Sequence, residues 1–256
     1  MDAVFDRADP PRSEQAYEAI RDMIVSGRLR AGETISEVQL AEALAVSRTP
    51  VREAMKRLLG QRLVEVTPRG LRVFRPSAGN VAEVYFLRAA IEGAVARAAA
   101  ARISAGQLAG LGRIQTESVG AAERGDVAAL VELNGRFHRL LAEAAGSARA
   151  AAALRDLDPL VAAYRRLSLL SPEHQRGSVA DHARLIGLLE RRDGPGAEAL
   201  VRDHIARAGR RVAEAVLQME PAATGGADAA EQLRNLDGLA APEPPGRGNQ
   251  KQPRKD

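Results

Sequence analysis

Three basic residues, Arg48, Arg52 and Lys56, follow one another at intervals of four along the chain. In an α-helix this spacing stacks their side chains on one face. The opposite side of the same segment carries the apolar residues Val51, Met55, Leu58 and Leu59. Because an arginine can bind guanine O6 and N7 with two hydrogen bonds, the basic face could read base edges in the major groove of DNA.

Polar residues beside this helix extend the predicted DNA-binding surface. Ser47 and Thr49, at the helix N-terminus, can bond a phosphate or a base edge together with the free amides there. The full predicted set is Ser47, Arg48, Thr49, Arg52, Lys56, Arg69 and Gly70. Between Ser47 and Arg75 there are eight basic residues and two acidic ones, a local excess suited to a polyanion. The alternative is a solvated charged face on an ordinary small helix, and the flanking elements favour DNA binding over it.

Three of the four histidines fall on apolar stripes of separate predicted helices: His138, His182 and His204. A single histidine in such a stripe is usually a hydrogen-bonded core residue. Three of them favour a shared purpose, because burying several polar rings is costly. Neutral imidazoles bind Zn²⁺, Ni²⁺ and similar ions, and Asn134 lies one turn before His138 on the same face. The pattern therefore predicts a divalent metal site, and His174, in a polar stretch, is left outside it.

Arg88 interrupts the apolar stripe of another predicted helix, formed by Val81, Val84, Ile91 and Val95. A buried guanidinium requires an anion. Two partners are possible. One is a small carboxylate that also binds the metal, which would make Arg88 an effector-binding residue. The other is Glu92, at i+4 on the same helix.

The elements that position the basic helix are two helices before it and a hairpin after it. The first helix begins at Ser13 and ends at Gly27, and the second, over 37–44, starts with a Ser36–Gln39 capping box. Ser47 is the predicted N-cap of the basic helix. After Gly60 the apolar period changes to two, with a Thr67-Pro68-Arg69-Gly70 turn, which predicts a β-hairpin. Residues 13–76 are thus predicted to form a winged helix-turn-helix.

The rest of the chain is predicted to be helical. Apolar periodicity and Ser, Gly and Pro punctuation give six helices over residues 80–103, 104–124, 126–145, 148–170, 175–192 and 195–219. The predicted fold class is therefore mainly α, a winged helix-turn-helix followed by an all-helical bundle over 80–219. Residues 1–12 are predicted to be a flexible tail, and residues 220–256, rich in Pro, Gly and charge, a disordered one.

Composition excludes several classes of protein. The 256 residues include no cysteine, which excludes disulfides and thiolate metal sites. The sequence has no run of about 18 apolar residues, so no membrane span is predicted. The N-terminus does not resemble a secretion signal. A cytoplasmic location is therefore expected. Aromatic residues make up only 3%, which argues against stacking on single-stranded bases.

Residues Ile35 to Phe74 resemble the DNA-binding domain of GntR-superfamily transcription regulators. The resemblance is carried by Glu37, Leu40, Ala41, Leu44, the run Val46 to Ala54, Leu58, Leu63, Val64 and Gly70. It implies that Arg48, Thr49, Arg52 and Gly70 contact operator DNA. Two residues depart from the family pattern: Ala31, where Pro is usual, and Ala45, where Gly is usual. Both affect turn geometry more than chemistry.

The helical region resembles the FCD domain, the sensor of the FadR subfamily of GntR regulators. The matching residues are Asn134, Phe137, His138, Asp181, His182, Leu185, Ile186, Asp193, His204 and Ile205. The resemblance implies a divalent metal (Zn, Ni or Mn) held by Asn134, His138, His182 and His204, and a small organic acid as effector. An amide at Asn134 lacks the charge of a carboxylate, so weaker metal binding is expected.

These features together predict a transcription regulator, and the resemblance implies that it is a homodimer and, most simply, a repressor. Two recognition helices would enter the major groove at an inverted repeat of double-stranded DNA, and the effector would change their arrangement. One rival is a metal-dependent hydrolase, since three histidines and an open position can activate water. Against it, no acidic residue has a spacing that marks a general base. Another rival is an architectural DNA protein that senses nothing.

Overall fold

A computed structural model of the chain describes residues 10–219. Within that part it is mainly helical, with one small sheet in its N-terminal third, which confirms the predicted fold class. The predicted tail over 1–12 lies mostly, and that over 220–256 entirely, outside the described residues. No helix of the described part is long and apolar enough to cross a membrane.

The N-terminal unit contains three helices and three short strands. In chain order they are α1 (Arg12–Val25), β1 (Thr34–Ile35), α2 (Glu37–Ala43), α3 (Arg48–Gly60), β2 (Val64–Thr67) and β3 (Gly70–Val73). The strands are antiparallel in the order β1-β3-β2, with Val64 opposite Val73 and Ile35 opposite Leu71. The hairpin β2–β3 was predicted. Strand β1 was not, because two residues are too short to show a period.

Local capping follows the predicted signals only in part. The Ser36 hydroxyl accepts a hydrogen bond from the Gln39 amide at 3.3 Å. Ser47 occupies the N-cap position of α3, but its side chain makes no capping hydrogen bond within the described structure. Its hydroxyl is therefore free to bind a ligand. Ala45, in the turn between α2 and α3, has φ +53°, a conformation in which glycine is less strained than a residue with a Cβ atom.

Six longer helices form the C-terminal bundle, in agreement with the number predicted for residues 80–219. They are α4 (Ala78–Arg102), α5 (Ala105–Glu123), α6 (Val127–Ala144), α7 (Ala148–Ser168), α8 (Pro172–Glu190) and α9 (Gly194–Met219). Ser77 and Ser104 begin α4 and α5 with complete capping boxes, which satisfy free amides of the first turn.

Helix α8 begins earlier than the predicted residue 175. Pro172 occupies its first turn, and the Ser171 hydroxyl accepts from the His174 amide at 3.4 Å. A proline is favourable there because its missing N–H has no partner in the first turn. His174 therefore lies on α8 and not in a polar loop.

The bundle is built on close packing of α4 against α9. A Cβ atom added to Gly209 of α9 would lie 2.8 Å from Cβ and Cγ of Tyr85 on α4, so the helices approach closely because this residue is glycine. The buried Tyr85 ring stacks on Tyr164 of α7, with 6.4 Å between centroids. Helix α7 also contacts α1 of the N-terminal unit.

Candidate functional site

Helix α3 separates a buried face from a basic one. Val51, Met55 and Leu58 are almost completely buried and pack the helix on the core. The residues predicted to bind DNA all lie at the surface: Ser47, Arg48, Thr49, Arg52 and Lys56 on α3 or at its start, and Arg69 and Gly70 after β2. A basic helix face open to solvent is what major-groove binding requires.

The arginines of α3 differ in how firmly they are held. Arg52 Nε lies 3.6 Å from Glu37 Oε2, and 58% of the Arg52 side chain is exposed, so this pair is weak and can open. Arg57 forms an ion pair with Glu14, and its Cζ lies 3.8 Å from the centroid of the Tyr17 ring. Arg57 is therefore attached to α1, whereas Arg52 is available to a ligand.

The loop between β2 and β3 is the wing of the N-terminal unit. The Thr67 hydroxyl donates to the Gly70 carbonyl at 2.9 Å and accepts from the Arg69 amide at 3.2 Å. Gly70 has φ +111°, a conformation that only glycine adopts without strain. The turn thus holds an exposed arginine at the wing tip.

The three histidines of the bundle converge on one point. His138 of α6, His182 of α8 and His204 of α9 are buried, and their ring centroids lie 5.1 to 5.7 Å apart. One nitrogen from each ring lies within 4.8 Å of the others. This arrangement brings together the side chains that the sequence placed on separate helices, and it could hold a metal ion.

Two of the three rings are oriented by a neighbouring side chain. His182 stacks face to face on Phe137, with 4.0 Å between centroids and 2° between planes. His204 Nδ1 lies 3.2 Å from Asp181 Oδ2, a carboxylate that also pairs with Arg207. If the proton of His204 is on Nδ1, the carboxylate accepts it and Nε2 is left free to bind a metal.

Unsatisfied nitrogens make the cluster suitable for a metal. Among the described residues, both ring nitrogens of His138 and Nε2 of His182 lack a hydrogen-bond partner. Burial lowers the pKa of His138 to about 4, and that of His182 well below its usual value, so both rings are neutral at pH 7. An unsatisfied buried nitrogen costs roughly 1–3 kcal/mol, and a coordinated cation would satisfy one nitrogen of each ring.

The small cavity next to His138 and His204 has a volume of about 10 Å³, and Asn134 and His174 are among the residues that line it. The Asn134 amide donates to the Ser178 hydroxyl at 3.4 Å. His174 was predicted to lie outside the metal site, although the Ser171-Pro172 helix start was a signal that it belongs to α8.

Arg88 is buried, and the partner seen in the structure is Glu92. Arg88 Nε donates to Glu92 Oε1 at 2.8 Å, the second of the two alternatives considered from the sequence. Burial alone would raise the pKa of the Glu92 carboxyl, but Arg88 and His138 hold the pKa well below its usual range. Arg88 also lines the cavity near the histidines, so the ion pair does not remove it from the site.

Two acidic residues lie beside the histidines, although their spacing in the sequence did not mark either of them as a general base. Glu92 Oε2 lies 2.6 Å from His138 Nδ1, off the direction of a hydrogen bond, and Asp181 lies beside His204. Glu92 was considered only as a partner of Arg88, because it comes from α4, 46 positions from His138 in the chain. Both carboxylates are ion-paired with arginines.

Comparison with known proteins places the chain among bacterial regulators. The family model described as "Bacterial regulatory proteins, gntR family" matches residues 12–71, and that of the FCD domain matches residues 83–207. The HTH-type transcriptional regulator YdfH of Escherichia coli O6:H1 is 31% identical over 82% of this chain and 91% of its own length. The HTH-type transcriptional repressor RspR of E. coli K12 is 30% identical over 82% and 90%.

Solved structures show the same fold. E. coli McbR/YncC has a TM-score of 0.69 at 20% identity, over 82% of this chain and 99% of that one. A GntR regulator from Rhodococcus sp. RHA1 also has a TM-score of 0.69, at 22% identity, over 79% and 98%. The relatives are transcriptional regulators and not enzymes, in agreement with the prediction. The chain therefore belongs to the GntR family of DNA-binding transcriptional regulators and carries an FCD domain.

Proposed function

We propose that this regulator is a repressor whose operator binding is modulated by a small carboxylate bound at a metal in the FCD domain. The observation that carries the proposal is the convergence of three buried histidine rings with unsatisfied nitrogens. The exposed basic face of α3 supports the DNA-binding part of the proposal. The name of RspR as a repressor supports repression as the type of regulation.

For DNA binding we propose a homodimer on an inverted repeat. Arg48, Arg52 and Lys56 would face base edges and phosphates of the major groove, with Ser47 and Thr49 at the N-terminus of α3. Arg69 and Gly70 of the wing would contact the adjacent groove or backbone. Two such helices would bind half-sites about 34–36 Å apart or a multiple of that spacing. Access to the chromosome implies a cytoplasmic location.

For the metal we propose His138, His182, His204 and the amide oxygen of Asn134 as ligands. Three neutral imidazoles suit Zn²⁺ or Ni²⁺, and the amide oxygen is the type of ligand that suits Mn²⁺. When bound, the ion supplies a positive charge and an open position for a carboxylate oxygen. Asn134 would have to turn its amide oxygen to the cavity while its nitrogen keeps the Ser178 contact. Arg88 would contact the effector, with Glu92 as its partner in the free protein.

A thermal-shift screen of small carboxylates, with and without a chelator, tests the proposal. We expect at least one acid to raise the free energy of unfolding of the metal-loaded protein by about 2.7 kcal/mol at one hundred times its Kd. Its melting temperature rises accordingly. The rise should disappear when the chelator is added, and the same acid should change operator binding. An acid that stabilises equally with the chelator present would contradict a metal-centred effector site.

Asp181→Asn tests the orientation of His204. The substitution keeps the shape of the side chain but removes the charge that polarises the imidazole. We expect metal affinity to fall by roughly 10–100-fold, the usual cost of losing such a partner. Titration of the metal-free protein with Zn²⁺ measures this. Asp203→Asn is a matched control, because Asp203 pairs with the same Arg207 but is not recorded in contact with a histidine. Equal affinity in wild type and Asp181→Asn would show that the carboxylate does not orient the ligand.

A further inference from the structure

A cleft separates α1 of the DNA-binding unit from α6 and α7 of the bundle. Its volume is about 660 Å³, and its lining includes four arginines: Arg21, Arg139, Arg165 and Arg166. Three acidic residues also line it: Asp22, Glu132 and Asp158. Because Asp22 pairs with Arg21 at 2.9 Å, the remaining arginines face only two carboxylates.

Arg165 is the unusual member of this group. Its side chain is buried, with 7% of the residue exposed. Throughout residues 10–219, no carboxylate oxygen lies within 4.0 Å of its guanidinium, and the side chain has no recorded hydrogen bond. Burial and the neighbouring Arg88 lower the pKa of Arg165 to about 10, so it stays charged at pH 7. Buried charges are normally paired, and the described residues do not provide a partner for this one.

The tip of Arg139 lies close to that of Arg165. A Cβ atom added to Gly135 of α6 would lie 3.0 Å from Nη1 of Arg165 and 3.1 Å from Nη1 of Arg139. Two guanidinium groups thus meet over the bare backbone of one glycine, which also lines the cleft. Like charges this close repel each other, and an anion between them would remove the repulsion and provide hydrogen bonds to both.

Asp158 does not neutralise the pair. It interacts electrostatically with Arg165 and Arg139 and is half-buried, but it is beyond ion-pairing distance from both in the described structure. Its charge leaves at least one guanidinium uncompensated. Glu132, the other acidic residue here, is exposed to solvent.

We propose that this cleft binds a small dianion between Arg139 and Arg165, with Arg21 and Arg166 at its rim. The ligand class is a compact molecule with two negative charges, either a dicarboxylate or a phosphate ester. Arg139 and Arg165 also line a smaller pocket with Arg88 and His138, whereas α1 forms one wall of the cleft, and binding in the cleft does not require the metal. An anion there would join the DNA-binding unit to the bundle. Arg165 also borders the cavity beside the histidines, so the two sites adjoin.

The test uses the full chain with the metal site disabled, as His182→Ala in the presence of chelator. Inorganic phosphate and succinate are titrated by calorimetry and thermal shift, with chloride at equal ionic strength as the reference. We expect at least one of them to bind and to raise the melting temperature. Binding of phosphate alone points to phosphate esters, and binding of succinate alone points to dicarboxylates.

Variants assign the binding to the two arginines. We expect Arg165→Met and Arg139→Gln each to weaken binding at least about tenfold, the effect of losing one charge-assisted contact. Asp158→Asn should strengthen it, because a competing carboxylate is removed. Arg113→Gln, an exposed arginine of α5 away from the cleft, should bind as the parent does. Binding of neither anion above the chloride reference, or binding unchanged in Arg139→Gln, would overturn the proposal.

The stability of Arg165→Met without anion gives an independent readout. Removing a buried charge that has no partner is expected to leave the melting temperature unchanged or to raise it. A residue retained only to stabilise the fold would instead lower it when replaced. If Arg165→Met unfolds, the exposed Arg139→Gln variant and the half-buried Asp158→Asn variant still decide the question by calorimetry.

Discussion

A divalent metal bound at the proposed site is expected to raise the melting temperature of the wild-type protein, and alanine in place of His182 is expected to abolish that rise. Of the three pairs of histidine rings, His182 and His204 are the closest, at 5.1 Å between centroids, and Nε2 of His182 has no partner among the described residues. Losing a ligand should cost more than the roughly 10–100-fold that loss of an outer partner costs. Stabilisation at fixed metal concentration then disappears, since it depends on the ratio of concentration to Kd.

The metal-free form of His182→Ala should stay folded. The substitution removes a buried nitrogen without a hydrogen bond, which is favourable, and the stacking on Phe137, which is not. These effects partly cancel. Calorimetric scans of the metal-free and Zn²⁺-loaded proteins measure both quantities together. Operator binding of the metal-free variant should match that of the metal-free wild type.

His174→Ala is the matched control for this experiment. His174 lines the small cavity beside His138 and His204 but is not one of the three rings whose nitrogens converge. We expect it to leave Zn²⁺ affinity within a few-fold of wild type. Equal losses in His174→Ala and His182→Ala would mean that the ligand set is not the one proposed here.

The fold was predictable because its signals are local. The Ser36 cap, the alternation around Val64 and the turn at Gly70 each depend on residues within about five positions of one another. The features that were missed are of two kinds. Strand β1 exists only through its pairing with β3, and the start of α8 depended on reading Pro172 as a first-turn residue.

The candidate site was predictable where periodicity showed which face a residue lies on. A histidine in an apolar stripe points to the interior of the bundle. Three such histidines on helices of one bundle therefore all point into the same core. Periodicity does not show which residues of different helices meet. Glu92 was therefore considered only as a partner of Arg88 on its own helix, although it also lies beside His138. Arg165 was missed because its burial results from the packing of α6 and α7, which no local pattern records.

The second large effect is expected at the DNA-binding face, where Arg52→Ala should weaken operator binding by about 1–3 kcal/mol, or roughly 5–150-fold. Arg52 is exposed and only loosely paired with Glu37. Its loss should therefore cost the fold little. If Arg52 binds a base edge, the variant should also discriminate less at one operator position, whereas Lys56→Ala should weaken all sequences about equally and lower the salt dependence.

Arg57→Ala separates a specific contact from a general loss of charge. It removes the same single positive charge from the same helix, but the Arg57 guanidinium lies over Tyr17 and pairs with Glu14 of α1. Operator affinity of Arg57→Ala should thus stay within a few-fold of wild type in a gel-shift or anisotropy titration. The two variants differ only in the position of the lost charge on the helix. Equal losses of operator affinity in Arg52→Ala and Arg57→Ala would therefore mean that α3 contributes only nonspecific electrostatic attraction.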